Sequence, residues 1–197
     1  MDTQREKELS EMSLEELWTL FPIILREYSP EYPVWYGEER QRLESLGSAV
    51  RRISHIGSTA VPGLLSKPIV DILLETAPGT DWGQLSERIR NLGWTLMRDT
   101  VQPQRQQSYN KGYTKHGFAA RVYHLHVRPA GDWDELYFRD YLVEHPETAQ
   151  AYASLKQTLK TRFEHDRDAY TAAKSEFVKC FSLAARAEYG PRYAPQG

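Results

Sequence analysis

Apolar positions set the first helix. Leu14, Leu17, Leu20 and Phe21 recur at helical spacing behind Ser13-Leu14-Glu15-Glu16, where Glu16 stands three residues after Ser13 as in a capping box. Pro30 and Pro33 interrupt the pattern, and a second helix is expected from Trp35 to Leu46, stopping near Gly47. Val50 to Ile56 reads as a short strand. Ile69 to Leu74 is apolar on both faces, the pattern of a strand inside a covered sheet. Asp81 is placed to cap a helix through Leu92, with Gly93 as its stop. Trp94 to Arg98, Gln106 to Tyr113 and Ala119 to Val127 read as further strands, with turn chemistry at Lys111-Gly112 and Lys115-His116-Gly117.

The last third is helical. Asp132 is placed to cap a helix carrying Leu136, Phe138, Tyr141 and Leu142. His145-Pro146 ends it and opens another, since proline fits a first helical turn. Ala149, Tyr152, Ala153 and Leu155 form an apolar stripe on that helix, and Tyr170, Ala173, Phe177 and Phe181 form one on the last. These elements predict an α+β fold, a mixed β-sheet core with flanking helices and a helical C-terminal part. With no linker in view, residues 31–190 are expected to form a single domain behind a variable N-terminal helical extension, residues 1–30.

Charge narrows the function. The 197 residues carry a net charge of −2, so no bulk field draws nucleic acid or an anionic membrane. No run is long and apolar enough to span a bilayer, and Met1 to Glu11 is too polar for a signal peptide. The single cysteine, Cys180, excludes an internal disulfide and fits a cytoplasmic setting. Its place behind Phe177 and Val178 predicts burial.

The chemistry concentrates at three places. Gly57 frees the backbone for close approach, and the hydroxyls and amides of Ser58 and Thr59 suit phosphate oxygens. Asp71 interrupts an apolar run, where a carboxylate needs a partner. Strand alternation sets Asp71, Leu73 and Glu75 on one face. Leu73 stands where a second acid would complete a metal clamp, and Glu75, roughly 13 Å along, is too far to share an ion. His124 and His126 also share a face, and can bind one metal or serve a phosphate. If their strand neighbours that of Asp71, acid and imidazoles meet over one pocket.

Lys67, held extended by Pro68, can aim an ammonium at a phosphate, and Arg121 and Lys111 can add charge. His55 is expected to support the loop. There is no P-loop, dinucleotide fingerprint or nucleophile elbow. The set suits phosphoryl chemistry with Mg²⁺, or with Mn²⁺ or Zn²⁺ if the histidines are ligands. The expected partner is a nucleoside triphosphate or phosphorylated small molecule, not nucleic acid or membrane.

His55-Ile56-Gly57-Ser58-Thr59-Ala60-Val61-Pro62-Gly63-Leu64, followed by Lys67-Pro68-Ile69-Val70-Asp71-Ile72, resembles the signature of the GrpB family. His124-Leu125-His126-Val127, Phe138-Arg139-Asp140-Tyr141-Leu142 and His145-Pro146-Glu147 extend the resemblance, which runs from about Tyr32 to Ala184. It implies a fold like that of the polymerase-beta-like nucleotidyltransferases, which hold a triphosphate with a Gly-Ser turn and magnesium with carboxylates on the following strand. On that pattern Gly57 and Ser58 take the phosphate turn and Asp71 the first metal position, with Leu73 in place of the second acid. The resemblance thus implies a metal-dependent nucleotidyltransferase acting on a small-molecule acceptor. Asp71, His124 and His126 would be its catalytic and metal-binding groups, and Gly57, Ser58, Thr59, Lys67 and Arg121 would bind the nucleotide. Two alternatives stand beside it: a non-catalytic nucleotide- or phosphometabolite-binding module, and a His/Asp metal-dependent hydrolase.

Overall fold

The computed structural model describes residues 7–195; the first six residues of the polar N-terminal stretch lie outside them. Helix α1, Leu14–Leu20, starts at the expected capping box, with Ser13 accepting from the Glu16 amide and Glu16 from the Ser13 amide. Helix α2, Glu31–Glu44, begins four residues before the expected start. Pro30 is its N-cap and Pro33 lies in its first turn, where the missing N–H would have had no intrahelical partner, so neither proline breaks it. Strands β1, Val50–Ile56, and β2, Val70–Thr76, follow. Helix α3, Trp82–Asn91, is capped by Asp81, which accepts from the Gly83 and Gln84 amides. Strands β3, Thr95–Thr100, β4, Gln106–Thr114, and β5, Gly117–Pro129, complete the sheet. Helices α4, Asp134–Glu144, α5, Pro146–Phe163, and α6, Arg167–Tyr189, close the chain, with His145-Pro146 joining the first two as expected.

The five strands lie in the order β1-β2-β5-β4-β3. Only β2 and β5 run parallel; the other neighbours are antiparallel, which makes the sheet mixed. One face carries Ile72, Leu74, Leu125 and Val127, which pack with Tyr32 and Leu43 of α2 and Leu85 and Ile89 of α3. The other carries Asp71, Leu73, His124 and His126 under the C-terminal helices, where Leu73 meets Ile56 and Leu136 of α4. Cover on both faces explains the uninterrupted apolar run of β2.

Four local expectations are corrected. Asp132 does not cap α4; its carboxylate accepts from Arg186 and the Tyr137 hydroxyl, and Trp133 is the N-cap. Ala173 and Cys180 are exposed on α6. Cys180 lies two positions past Val178, about 200° round the helix, and so faces away from it. Lys111-Gly112 is not a turn but part of β4, at a bulge between Lys111 and Tyr113.

Candidate functional site

The parallel pairing of β2 and β5 sets Asp71 opposite His124 and Leu73 opposite His126. Their side chains meet. His124 Nδ1 lies 3.1 Å and His126 Nε2 3.7 Å from Asp71 Oδ1, and all three ligand atoms fall within 4.8 Å of one another. Ligand atoms around a tetrahedral ion with arms near 2.1 Å lie about 3.4 Å apart, so the three groups fit one metal with a position left open.

A bulge completes this arrangement. Strand β4 directs Ser108 and Asn110 to the histidine face and Lys111 to the other. Regular alternation would send Tyr113 after Lys111. The bulge at Gly112 reverses the parity, so Tyr113 arrives beside His124. Gly112 has φ +89°, and a Cβ there would lie 2.2 Å from the Arg121 carbonyl oxygen, so only glycine fits.

A chain of hydrogen bonds results. Arg167 Nη2 donates to the Tyr113 oxygen at 2.9 Å, and Tyr113 is 2.7 Å from His124 Nε2. Burial raises the Asp71 carboxyl, but hydrogen bonds from His124 and His126 outweigh it and hold the group well below the usual carboxylate range. Burial lowers His124 from its ordinary value, against the pull of Asp71. An ionised Asp71 therefore accepts from His124 Nδ1–H, which leaves Nε2 to accept from Tyr113. A metal on Nδ1 would reverse that bond, with Nε2–H donating to the Tyr113 oxygen, an outer-shell partner of the kind metal-bound histidines have.

The opposite wall is cationic. Lys67, Lys156, Arg167 and Lys174 line the same cavity, of about 940 Å³, as Asp71 and both histidines. Among the described residues none of the four forms an ion pair. Lys156 Nζ donates to Ser58 Oγ at 3.1 Å and to the Leu65 carbonyl. Lys67 and Lys174 lie over the Tyr170 ring, whose buried hydroxyl has no hydrogen-bond partner among the described residues. Burial first, then the charges of Lys174 and Arg167, push Lys67 down to about 7. Burial, then Lys174 and Lys67, does the same to Lys156.

The expected residues divide into three groups. Asp71, His124, His126, Ser58 and Lys67 converge on the cavity. Gly57 and Thr59 border it but are committed to the fold. Gly57, at φ +71°, makes its close approach to Asp71 rather than to a ligand. Thr59 donates to the Ile69 carbonyl and accepts from His55 Nε2, while the His55 ring stacks on Tyr36, so His55 supports the loop.

Arg121 and Lys111 stand apart. Arg121 pairs with Glu38 at 2.5 Å over Trp35, and Lys111 with Glu39, because both alternate with the histidines onto the α2 face. Glu75 shares the Asp71 face as expected but is buried, held by Arg52 and the Gly131 amide.

Lys156, Lys174, Arg167 and Tyr113 were not among the expected site residues. The first two carry a readable signal. Lys156 follows Tyr152, and Lys174 follows Tyr170, each by four residues on the inward stripe of its helix, where a lysine is out of place unless it serves a polar interior.

Fold and site define a class: an α+β protein with an acid–imidazole centre at the one parallel junction of its sheet, facing a basic wall of helices. The chain belongs to the GrpB protein family, whose model matches residues 22–182. It is 40% identical over 157 residues to UPF0157 protein PA4798 of Pseudomonas aeruginosa, a match covering 77% of this chain and 64% of that protein. It is 32% identical over 161 residues to glutamate-rich protein GrpB of Alkalihalophilus pseudofirmus, covering 79% of this chain and 91% of the relative. The crystal structure of conserved protein GrpB from Enterococcus faecalis is similar at a TM-score of 0.73 and 27% identity, over 84% of this chain and 99% of that one. No helix among the described residues is long and apolar enough to cross a membrane.

Proposed function

We propose that this protein is a cytoplasmic, divalent-metal-dependent enzyme acting on the phosphate group of a small molecule. One observation carries the reading: a three-ligand set shares one cavity with four basic side chains that form no ion pair among the described residues. Like charges crowded this way repel, and a multiply charged phosphate relieves them. Asp71, His124 and His126 would hold the metal, which when bound supplies a Lewis acid for a phosphoryl oxygen. Two imidazoles and one carboxylate suit Zn²⁺ or Mn²⁺ better than Mg²⁺, which prefers oxygen ligands. Lys67, Lys156, Lys174 and Arg167 would bind the remaining phosphate oxygens and stabilise charge that develops on them.

Nucleotidyl transfer to a small-molecule acceptor is the second reading. The Gly57-Ser58 turn beside Asp71 favours it, with Lys156 holding the serine hydroxyl at the cavity. The apolar burial of Leu73 weighs against a two-carboxylate version.

The test is calorimetry on chelator-treated protein, first with Zn²⁺, Mn²⁺ and Mg²⁺, then with pyrophosphate and ATP beside the metal that binds, followed by product analysis. We expect one metal per chain, lost in Asp71→Asn, and phosphate binding lost in a Lys156→Met, Lys174→Met double variant. No uptake of any metal and no phosphate binding would overturn the proposal. Binding without turnover would leave the non-catalytic module.

A further inference from the structure

We infer that the ligand of this site is amphipathic: a phosphate ester whose other end is a flat apolar group seated against α1. The inference rests on the phosphate reading above and adds the second half of the ligand. The cavity does not end at the lysines. Its lining extends to two further apolar walls, Leu14, Leu17 and Trp18 of α1 and Met97 of β3. Each wall leaves an apolar side chain open to solvent. Helix α1 has no buried residue, Leu14 is 62% exposed and Met97 60% exposed. Scattered exposed apolar side chains need no explanation, but two such groups lining one cavity do.

Helix α1 is nevertheless held in place. Phe21, 3% exposed, packs edge-on against Tyr113 at 4.9 Å and beside Phe118 at 5.0 Å. The tyrosine that bonds His124 thus also anchors the segment that forms the first of these walls. The cavity volume, about 940 Å³, lies at the upper end of the roughly 300–1,000 Å³ of small-molecule sites and far exceeds what a phosphate needs. An apolar group joined to a phosphate would cover both walls while its anionic end reached the lysines, and the Trp18 indole favours a flat partner. This helix precedes the stretch matched by the family model, which starts at residue 22.

The test compares 1-naphthyl phosphate, ribose 5-phosphate and inorganic phosphate by calorimetry. The wild-type protein is expected to bind the naphthyl ester at least about tenfold more tightly than ribose 5-phosphate. Trp18→Ala and Leu17→Ser are each expected to erase most of that preference and leave the affinity for inorganic phosphate unchanged. Neither residue is buried, so both variants should fold, which circular dichroism checks. Equal affinity for the two esters, or a preference that survives both substitutions, overturns the inference while the phosphate reading stands. No binding of any of the three overturns the phosphate reading and the inference with it.

Discussion

Gly57 and Asp71 are in contact across the turn between β1 and β2: a Cβ on Gly57 would lie 2.5 Å from Asp71 Oδ2. With φ at +71°, residue 57 meets both a backbone and a steric demand. Gly57→Ala is expected to cost about 2 kcal/mol or more in urea unfolding, from backbone strain plus overpacking. It should also weaken metal binding by displacing the carboxylate. An unchanged unfolding midpoint would contradict the contact.

Tyr113 should tune the metal without touching it. Its hydroxyl fixes the His124 ring, and Tyr113→Phe removes that bond while keeping the packing against Phe21. Metal affinity is expected to fall about 10- to 100-fold, as for other outer-shell partners. Competition with a chromogenic chelator measures it. A change below about twofold would remove Tyr113 from the site.

Protons should accompany the phosphate. Lys67 and Lys156 stand near 7 in the folded chain, against 10.5 for an ordinary lysine. Between those values the unfolded chain binds more protons, so the ligand-free protein should gain stability as pH rises from 7 towards 10.5. Phosphate favours the charged lysines, so its affinity should fall over the same range. Binding at pH 8 should then take up protons, read from calorimetric heats in two buffers of different ionisation enthalpy. Zero uptake would contradict the crowded wall.

Glu75 gives a stability test away from the acid–imidazole centre. It is 1% exposed and accepts from Arg52 and from the Gly131 amide at 3.0 Å. Arg52→Ala leaves that carboxylate buried without its cation and is expected to cost about 3 kcal/mol, read as a lower urea midpoint. Arg121→Ala, which breaks an exposed pair with Glu38, should change stability by less than about 0.5 kcal/mol.

Sequence pattern carried the strands, the caps at Ser13 and Asp81 and the shared face of His124 and His126, because each rests on local periodicity or a local hydrogen bond. It could not place β5 against β2, since a contact between residues 71 and 124 leaves no local trace. Arg121, like Lys111, was expected to add charge from the central hairpin, and strand alternation takes it to the other face. Tyr113 escaped notice because its direction depends on a bulge that a lone glycine in a polar stretch does not announce. Lys156 and Lys174 act on the site from helices joined to it only in three dimensions.

The apolar seat of Leu73 limits what this lineage can become. An acid substituted there would be wedged between Ile56 and Leu136, out of reach of solvent. Building a two-carboxylate centre there would require moving Leu136 of α4 off the sheet. On the metal reading proposed above, the fold thereby ties the centre to imidazole beside a single carboxylate and leaves variation to the groups that meet the guest.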